Sequence, residues 1–464
     1  MTQTELTPTA SLTGKWKPYP AYKDSGVKWL GKIPEHWQVK RLKRMFRVIN
    51  GATPRGSESA YWGGEIPWVT PEDLGSLNNR VIISTARMIT EEGYQSCGTS
   101  LVPTGSLVLS TRAPIGHLAI AGISLCTNQG CRALVFRHNC DITFFFYQLL
   151  AMKRELQSWG QGSTFLELGK SKLEGVIILV PPTLEQRVIA SFLDREITRI
   201  NALVAKKERL IELLQEKRAA LISHAVTKGL DPTVPMKDSG VEWLGEIPAH
   251  WEVKRVRDIT ELLQTGPFGS QLHSSDYSPY GIPVINPSHL KDGHIYPDWD
   301  CAVNEETYSR LVRHELRKGD IIFARRGQMG RCALITEKEA GWLCGTGSLL
   351  MRPRITLSVP SFLSKVLSTN GVRDWLLLES VGSTMDNLNT SILSRIPLPI
   401  PTLSEQQAIV SYLDSQTAKI DALISRIREG IEKLKEYSTA LISAAVTGKI
   451  DVRETISDHS SELL

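Results

Sequence analysis

The chain says nearly the same thing twice, over a distance too long for a solenoid. Lys23-Asp24-Ser25-Gly26-Val27, Trp29-Leu30-Gly31, Ile33-Pro34 and His36-Trp37 return as Lys237-Asp238-Ser239-Gly240-Val241, Trp243-Leu244-Gly245, Ile247-Pro248 and His250-Trp251, an offset of 214 residues. Further on, Glu185-Gln186, Phe192-Leu193-Asp194 and Ala220-Leu221-Ile222-Ser223 return as Glu405-Gln406, Tyr412-Leu413-Asp414 and Ala440-Leu441-Ile442-Ser443, now 220 residues apart, so the second copy is six residues longer, all gained in its middle. Each copy is large enough to hold its own core, which makes the repeat a duplicated domain with its connector. The matching ends enclose unlike middles: residues 50–160 and 264–380 share only scattered positions such as Ile66-Pro67 with Ile282-Pro283. One mechanical frame is used twice, with a different specificity in each copy.

The connectors read as helices. Each starts after prolines (Pro181-Pro182; Pro399, Pro401), near Thr183-Leu184-Glu185 or Ser404-Glu405, and each stops near a glycine, Gly229 or Gly448. Leu193, Ile197, Ile200, Val204, Lys207, Ile211, Leu214, Arg218, Leu221 and Ala225 follow 4-3 spacing. So do Leu413, Thr417, Ile420, Ile424, Ile427, Ile431, Leu434, Ser438, Leu441 and Ala445. That is a coiled-coil seam on each, along rods of about 60 Å. The outer faces are charged (Arg195, Lys206, Glu208, Arg209, Glu216, Lys217), which argues against ordinary bundle helices inside a large core. The simplest partner for one seam is the other. Antiparallel pairing relates the copies by a pseudo-two-fold axis; parallel pairing needs a long return connection that the short link from Gly229 to Trp243 does not supply.

Bulk properties set the class. With 464 residues, 41% apolar and 22% charged, the chain is expected to be a soluble protein of two or more domains. It has no run of 18 apolar residues, and Met1-Thr2-Gln3-Thr4-Glu5 is not a signal peptide, so a cytoplasmic location is expected. Seven cysteines (Cys97, Cys126, Cys131, Cys140, Cys301, Cys332, Cys344) form no Cys-x-x-Cys pair and read as buried free thiols, with no metal site expected. The net charge of +5 is compatible with a polyanionic partner without requiring one.

The inserts read as mixed α/β. Residues 64–69 and 107–110 in the first, and 282–285 and 320–324 in the second, look like strands. After the second strand of each pair comes a turn with a cation, Thr111-Arg112-Ala113-Pro114-Ile115-Gly116 and Arg325-Arg326-Gly327-Gln328-Met329-Gly330. An arginine on a tight turn can present its planar fork to guanine or phosphate; the competing reading is a surface salt bridge. Thr53-Pro54-Arg55-Gly56-Ser57 with Trp62 and Trp68, and Ser270-Gln271 with Asn286, mix cations, hydroxyls, amides and aromatics on loops suited to phosphates and base edges, although tryptophans more often sit in cores. Asn128, Gln129, Ser163, Thr164, Gln328, Ser383 and Thr384 complete the candidate DNA contacts. Catalytic motifs are missing. The nearest phosphate-loop match, residues 164–171, has Thr164 where the first glycine is needed, and Asn286-Pro287 is followed by Ser288 rather than by the Pro-Tyr of an amino-methyltransferase. His36 and His250 sit beside tryptophans and read as packing residues.

Taken together, the repeated Lys-Asp-Ser-Gly-Val-x-Trp-Leu-Gly-x-Ile-Pro-x-His-Trp segment, Gly51-Ala52-Thr53-Pro54 with Tyr61-Trp62 and Ile66-Pro67-Trp68, Ser110-Thr111-Arg112-Ala113-Pro114-Ile115-Gly116 with Asn128-Gln129-Gly130, and the Pro-x-x-x-Glu-Gln helix starts closely resemble the specificity subunit of type I restriction–modification systems, over about residues 22–450. The second copy departs from the first at Gly266-Pro267-Phe268-Gly269-Ser270 and at Arg325-Arg326, and resembles a different subgroup of recognition domain. The resemblance implies an α+β protein with two target-recognition domains separated by two long helices forming an antiparallel coiled coil. Its expected segments are a flexible start (1–21), a first recognition domain (22–183), a central helix (184–228), a second recognition domain (229–403), a C-terminal helix (404–449) and a flexible tail (450–464). It also implies a non-catalytic reader of a split, asymmetric double-stranded DNA target, bound to two methyltransferase subunits and, through the complex, to motor/nuclease restriction subunits. This chain would hold no cofactor; S-adenosylmethionine, ATP and Mg²⁺ belong to the partners, which methylate a flipped adenine. The rival readings are a stand-alone DNA-binding regulator and a coiled-coil adaptor whose inserts bind proteins.

Overall fold

The computed structural model describes residues 16–77, 79–112, 114–162, 166–327, 329–380 and 388–454. The chain is mixed α/β and divides into two compact units, Met1–Lys207 with Glu429–Leu464, and Glu208–Arg428. None of the described helices is long and apolar enough to cross a membrane.

The repeated motif makes the same frame in each unit. Tyr22–Asp24 pairs antiparallel with Lys32–Pro34, and Met236–Asp238 with Glu246–Pro248. The intervening turn explains the Asp-Ser-Gly spelling: the Asp24 carboxylate accepts the Gly26 N–H (2.9 Å), and Gly26 sits at φ 70°, a left-handed backbone that favours glycine. Asp238 and Gly240 repeat this, with φ 68°. Beyond the hairpin, Gln38–Arg41 pairs with Ile177–Val180, and Glu252–Arg255 with Pro397–Ile400.

The histidine and tryptophan that follow are tied to a helix carboxylate. Glu185 is buried and accepts from His36 Nε2 (2.7 Å), Trp37 Nε1 (3.0 Å) and Tyr19 Oη (2.7 Å). Glu405 accepts from His250 Nε2 (2.7 Å), Trp251 Nε1 (3.3 Å) and Thr402 Oγ1 (2.7 Å). Partial burial pushes the Glu405 carboxyl up, but the donors His250, Thr402 and Trp251 outweigh it and bring it to about 2. The neighbouring glutamines do the complementary job. Gln186 accepts from Asp141 N–H and donates to Pro181 O; Gln406 accepts from Val359 N–H and donates to Pro401 O. The Glu-Gln pair therefore pins the opening hairpin and the end of the insert to one helix turn, and the histidines are hydrogen-bonded anchors rather than packing residues alone.

In the first insert a five-stranded sheet runs Phe46–Asn50, Cys131–Phe136, Leu107–Ser110, Leu118–Ala121, Val81–Ile82, antiparallel except at the last pair. Beside it Trp62–Val69 pairs in parallel with Cys126–Thr127 and antiparallel with Met88–Ile89. The second insert has four antiparallel strands, Thr260–Thr265, Ser348–Pro353, Ile321–Ala324, Cys332–Leu334, and the same small sheet from Tyr277–Ile285, Leu343–Cys344 and Ala302–Val303. The run Leu107-Val108-Leu109 and its counterpart Ile321-Ile322-Phe323 are buried throughout, as fully enclosed strands must be.

The long helices are Thr183–Lys228 and Leu403–Val446. Between residues 201 and 220 the positions that escape full exposure are Val204, Lys207, Ile211, Leu214 and Arg218, a 4-3 series. Leu193 and Ile200 are buried and Ile197 and Leu221 partly so; on the other helix Leu413, Ile424, Ile427, Ile431 and Leu441 are buried, and Ile420 and Leu434 partly. Within the first unit, Phe192 and Leu193 share a core with Leu441 and Ala445, while Lys207 approaches Gly430, so the helix segments run antiparallel. Within the second, Ala225 and Val226 share a core with Ile409 and Leu413, and Arg218 lies 3.2 Å from Asp421, again antiparallel.

Order extends past both expected ends. Tyr19, Ile450 and Val452 are buried, and Asp451 N–H donates to Lys17 O (2.8 Å), so residues 16–21 and 450–454 belong to the packed first unit rather than to flexible segments. All seven cysteines are free, but only Cys126, Cys131, Cys332 and Cys344 are buried; Cys97, Cys140 and Cys301 are half-buried.

Candidate nucleic-acid interface

In the first unit the site is built on a close backbone approach. A Cβ at Gly51 would lie 1.9 Å from Asn128 O, so only glycine lets the chain leaving Phe46–Asn50 pass under the turn after Cys126–Thr127. Ala52 N–H then donates to Thr127 O (3.0 Å), and the Thr53 hydroxyl, exposed, bonds the exposed Gln129 amide. Asn128 turns its Oδ1 inward to Gly130 N–H (2.9 Å), and Gly130 O accepts Thr111 N–H (2.8 Å), which draws in the arginine turn. Arg55 is exposed, and its carbonyl accepts from the half-buried Trp62 Nε1 (3.3 Å).

Trp68 does not belong to the contact surface. It is 3% exposed, donates to Ala52 O (2.9 Å) and packs with Ile89 and Cys126, so its ring has no face to offer a base. The aromatic that reaches the surface is Trp62, and the exposed Arg87 guanidinium stacks 3.7 Å above its ring. Sequence reasoning missed Arg87, which carries no motif and becomes recognisable only when the strand Met88–Ile89 is paired with Trp62–Val69.

The second unit repeats the scaffold with other side chains. A Cβ at Gly266 would lie 1.8 Å from Gly345 O, and one at Gly345 would lie 2.3 Å from Asn286 Oδ1. Asn286 is thus partly engaged in shaping the turn. Ser270 and Phe268 are exposed, whereas Gln271 turns its Oε1 back to Phe268 N–H (3.2 Å).

The hydrogen bonds also establish which arginines correspond. Thr111 N–H donates to Gly130 O and Thr111 O accepts Leu168 N–H; Arg325 N–H donates to Gly347 O (2.9 Å) and Arg325 O accepts Leu388 N–H (2.9 Å). Arg325 therefore occupies the position of Thr111, and Arg326 that of Arg112. Arg326 is exposed; Arg325 is half-buried, its Nε donating to Leu388 O (3.3 Å). In the first unit the equivalent carbonyl, Leu168 O, is met by Arg132, 8% exposed, which also donates to Thr111 Oγ1 (2.5 Å), Glu167 Oε1 (3.1 Å) and Asn50 Oδ1 (3.2 Å). Arg112 is half-buried and its backbone bridges to Glu167. Arg132 was also missed by sequence reasoning, although one charge inside Cys131-Arg132-Ala133-Leu134-Val135 is the signal of a buried, fully paired cation. Ser163, Thr164, Gln328, Ser383 and Thr384 lie outside the described residues.

One group of described side chains has the makings of a cation site. His289, Asp298 and Cys301 bring ligand atoms within 4.8 Å of one another. The His289 Nδ1, however, accepts Asn286 N–H (3.3 Å), the reverse of the donor that a metal-bound imidazole presents, and burial pushes the ring's pKa down. The Cys301 thiol is 3.6 Å from the Asp298 carboxylate, so Cys301 and Asp298 tie this loop while His289 is engaged with Asn286.

Comparison with known proteins agrees with this architecture. The family model for the type I restriction modification DNA specificity domain matches twice, at residues 34–213 and 248–433. The MjaIX specificity subunit of Methanocaldococcus jannaschii is 32% identical over 305 residues, 64% of this chain and 68% of that protein. The EcoKI specificity subunit of Escherichia coli K12 is 20% identical, over 90% of each chain. Among solved structures, a chain from a study of complex assembly and conformational transition of the type I R-M system superposes with a TM-score of 0.68 at 18% identity, covering 90% of this chain and 99% of its own. The HsdS subunit from Thermoanaerobacter tengcongensis gives a TM-score of 0.50, also at 18% identity, over 90% and 98%.

Proposed function

Since the chain belongs to the type I restriction–modification DNA specificity family, we propose that it is the sequence-reading subunit of such a complex, with each unit reading one half of a split, asymmetric DNA target. The observation that carries this is the matched pair of sites. One frame holds two arginine turns in the same backbone position, Arg112 and Arg326, surrounded by different side chains. Thr53 and Gln129 stand beside the first turn, with Arg55 and Trp62 on the segment that follows Thr53; Asn286 stands beside the loop that holds the second, with Ser270 on the segment after Gly266. Guanidinium forks and side-chain amides of this kind contact base edges, while hydroxyls and backbone amides position phosphates. Two unlike surfaces cannot prefer the same bases, so the target is asymmetric.

The chain itself performs no chemistry in this reading. Two methyltransferase subunits dock on it, bind S-adenosylmethionine and methylate adenine after flipping the base, and restriction subunits using ATP and Mg²⁺ join through the complex. The setting is the cytoplasm, where the DNA is accessible. Sequencing methylated adenines in cells carrying this chain with its methyltransferase tests the proposal. A bipartite motif with unlike halves is expected; a palindrome, or one uninterrupted run of specified bases, overturns it.

A further inference from the structure

The two frames carry very different charge at matching positions. In the first unit, Lys40, Arg41, Lys43, Arg44 and Arg47 lie on the strand Gln38–Arg41, the helix Leu42–Met45 and the strand Phe46–Asn50. The helix Lys170–Gly175 packs on that helix and strand, adding Lys172, while its Lys170 and Glu174 pair with each other at 3.9 Å, and Val176 O accepts Leu42 N–H (2.7 Å). Arg41, Lys43, Arg44, Arg47 and Lys172 are exposed and Lys40 half-buried. Lys40, Arg41, Lys43 and Arg44, with Val39 and His138, line an open groove of about 590 Å³ that includes no carboxylate.

The second unit has the same backbone there, since Val256 N–H donates to Ile396 O (3.0 Å) and Arg255 pairs with Pro397 as Arg41 pairs with Ile177. Its side chains differ. The counterparts are Lys254, Arg255, Arg257, Asp258, Glu261 and Ile392, so three cations and two carboxylates stand where the first unit has six cations, and Arg395, on the counterpart helix, is paired with Glu379 at 2.9 Å. Two of those three cations are also neutralised locally, Lys254 by Glu252 at 2.9 Å and Arg257 by Asp258 at 3.6 Å. A fold that is stable with a nearly neutral patch in one unit does not need the cationic one in the other.

We propose that this patch of the first unit grips the DNA phosphate backbone beside the first half-site, outside the base-reading loops, and that the second unit lacks such a grip. The inference rests on the reading of the chain as a DNA reader. Geometry places the patch within reach: the strand Phe46–Asn50 leads from it directly to Gly51, five residues at about 3.3 Å each, or roughly five nucleotide steps of 3.4 Å along one strand. A second path runs from the arginine turn through Leu168, bonded to Thr111, into the helix that carries Lys172. A groove lined by four cations and His138, with Val39 its one apolar residue, suits phosphates, which are bound by charge and counterion release, better than a protein surface with a buried apolar centre.

The test is a salt titration of DNA binding by the chain in complex with its methyltransferase subunits, using a duplex with the methylated motif and a scrambled one. Replacing Arg41, Lys43 and Arg44 by Gln should reduce the slope of log affinity against log salt by about 2–3, at roughly 0.9 per lost phosphate contact, and leave the preference for the target unchanged. Replacing Lys254, Arg255 and Arg257 by Gln should change it by about 1 or less. A methylphosphonate scan should find a run of phosphates beside the first half-site whose neutralisation weakens the parent complex but not the first variant. An unchanged slope in the first variant overturns the proposal, as does loss of the methyltransferase subunits with DNA binding by intact complexes unaltered, which would make the patch a protein-docking face. If the parent complex does not prefer the target over the scrambled duplex, it is the DNA-reading function that fails.

Discussion

The two units hold the same turn against the same loop with guanidinium groups that come from different places. In the first, Arg132 reaches across from the neighbouring strand to Leu168 O and Thr111, and the turn's own arginine is Arg112. In the second, the position of Arg132 is taken by Leu349, as the strand registers show, and Arg325 on the turn itself reaches Leu388 O. The backbone scheme is kept and the cation has moved. Base contacts therefore cannot be copied from one unit to the other by residue type, whereas they can be aligned by hydrogen-bond position.

The largest effect should come from removing the buried cation. Arg132→Leu leaves Thr111 Oγ1, Leu168 O and Asn50 Oδ1 without their donor, and should destabilise the first unit by about 3 kcal/mol, while Arg325→Ala should cost the second about 1 kcal/mol. Little of this comes from the ion pair with Glu167, which is 41% exposed and screened. Urea unfolding of the full chain gives both values; equal losses would mean that the two arginines are not doing unequal structural work.

DNA binding should divide along the other arginines. Arg112→Ala and Arg326→Ala should each cost about 1–3 kcal/mol if the contact is a bidentate bond to guanine, relaxing one position in separate halves of the target. A phosphate contact would instead weaken all sequences alike. Arg325→Ala should leave base preference intact. Loss of preference in Arg325→Ala but not in Arg326→Ala would show that the backbone correspondence picks the wrong reader.

The smallest difference concerns acid. Glu405 is held at about 2 against an ordinary 4.5, so its contribution to the second unit is complete above about pH 4.5 and disappears as the pH falls through that interval to about 2. Glu405→Gln should lower stability at neutral pH and flatten the acid limb of the second unit's stability curve. An acid limb of unchanged steepness would place the sensitivity elsewhere.

Much of the frame was legible because its residues have narrow physical reasons. Asp24 and Gly26 need each other in a turn, the prolines and Gly229 and Gly448 punctuate helices, and 4-3 spacing has few uses other than a helix seam. The sites were less legible. Arg112 and the Arg325-Arg326 pair stand out by turn context, but which of the pair matches Arg112 follows only from the backbone hydrogen bonds, and Trp68 resembles a contact residue because a tryptophan beside a loop looks the same in sequence whether its ring faces out or in. Arg87 and Arg132 depend on partners 25 and 36 residues away, Trp62 and Leu168, and such distances follow from strand pairing rather than from local pattern. The packed ends near Tyr19 and Val452 were hidden for the same reason: they bury apolar side chains only because the repeated frame closes on itself.

The central claim is that one frame carries two independent readers. It is tested most directly by exchanging residues 50–160 for the first insert of another family member and sequencing the methylated adenines made by the resulting complex. Because Trp37 and Glu185 lie outside that segment, and Gln186 reaches into it only at the backbone N–H of Asp141, a group any insert of the family can supply, the exchange should replace the specificity of one half of the motif and leave the other half as it was. A motif altered in both halves, or altered in neither by an active complex, would contradict the account.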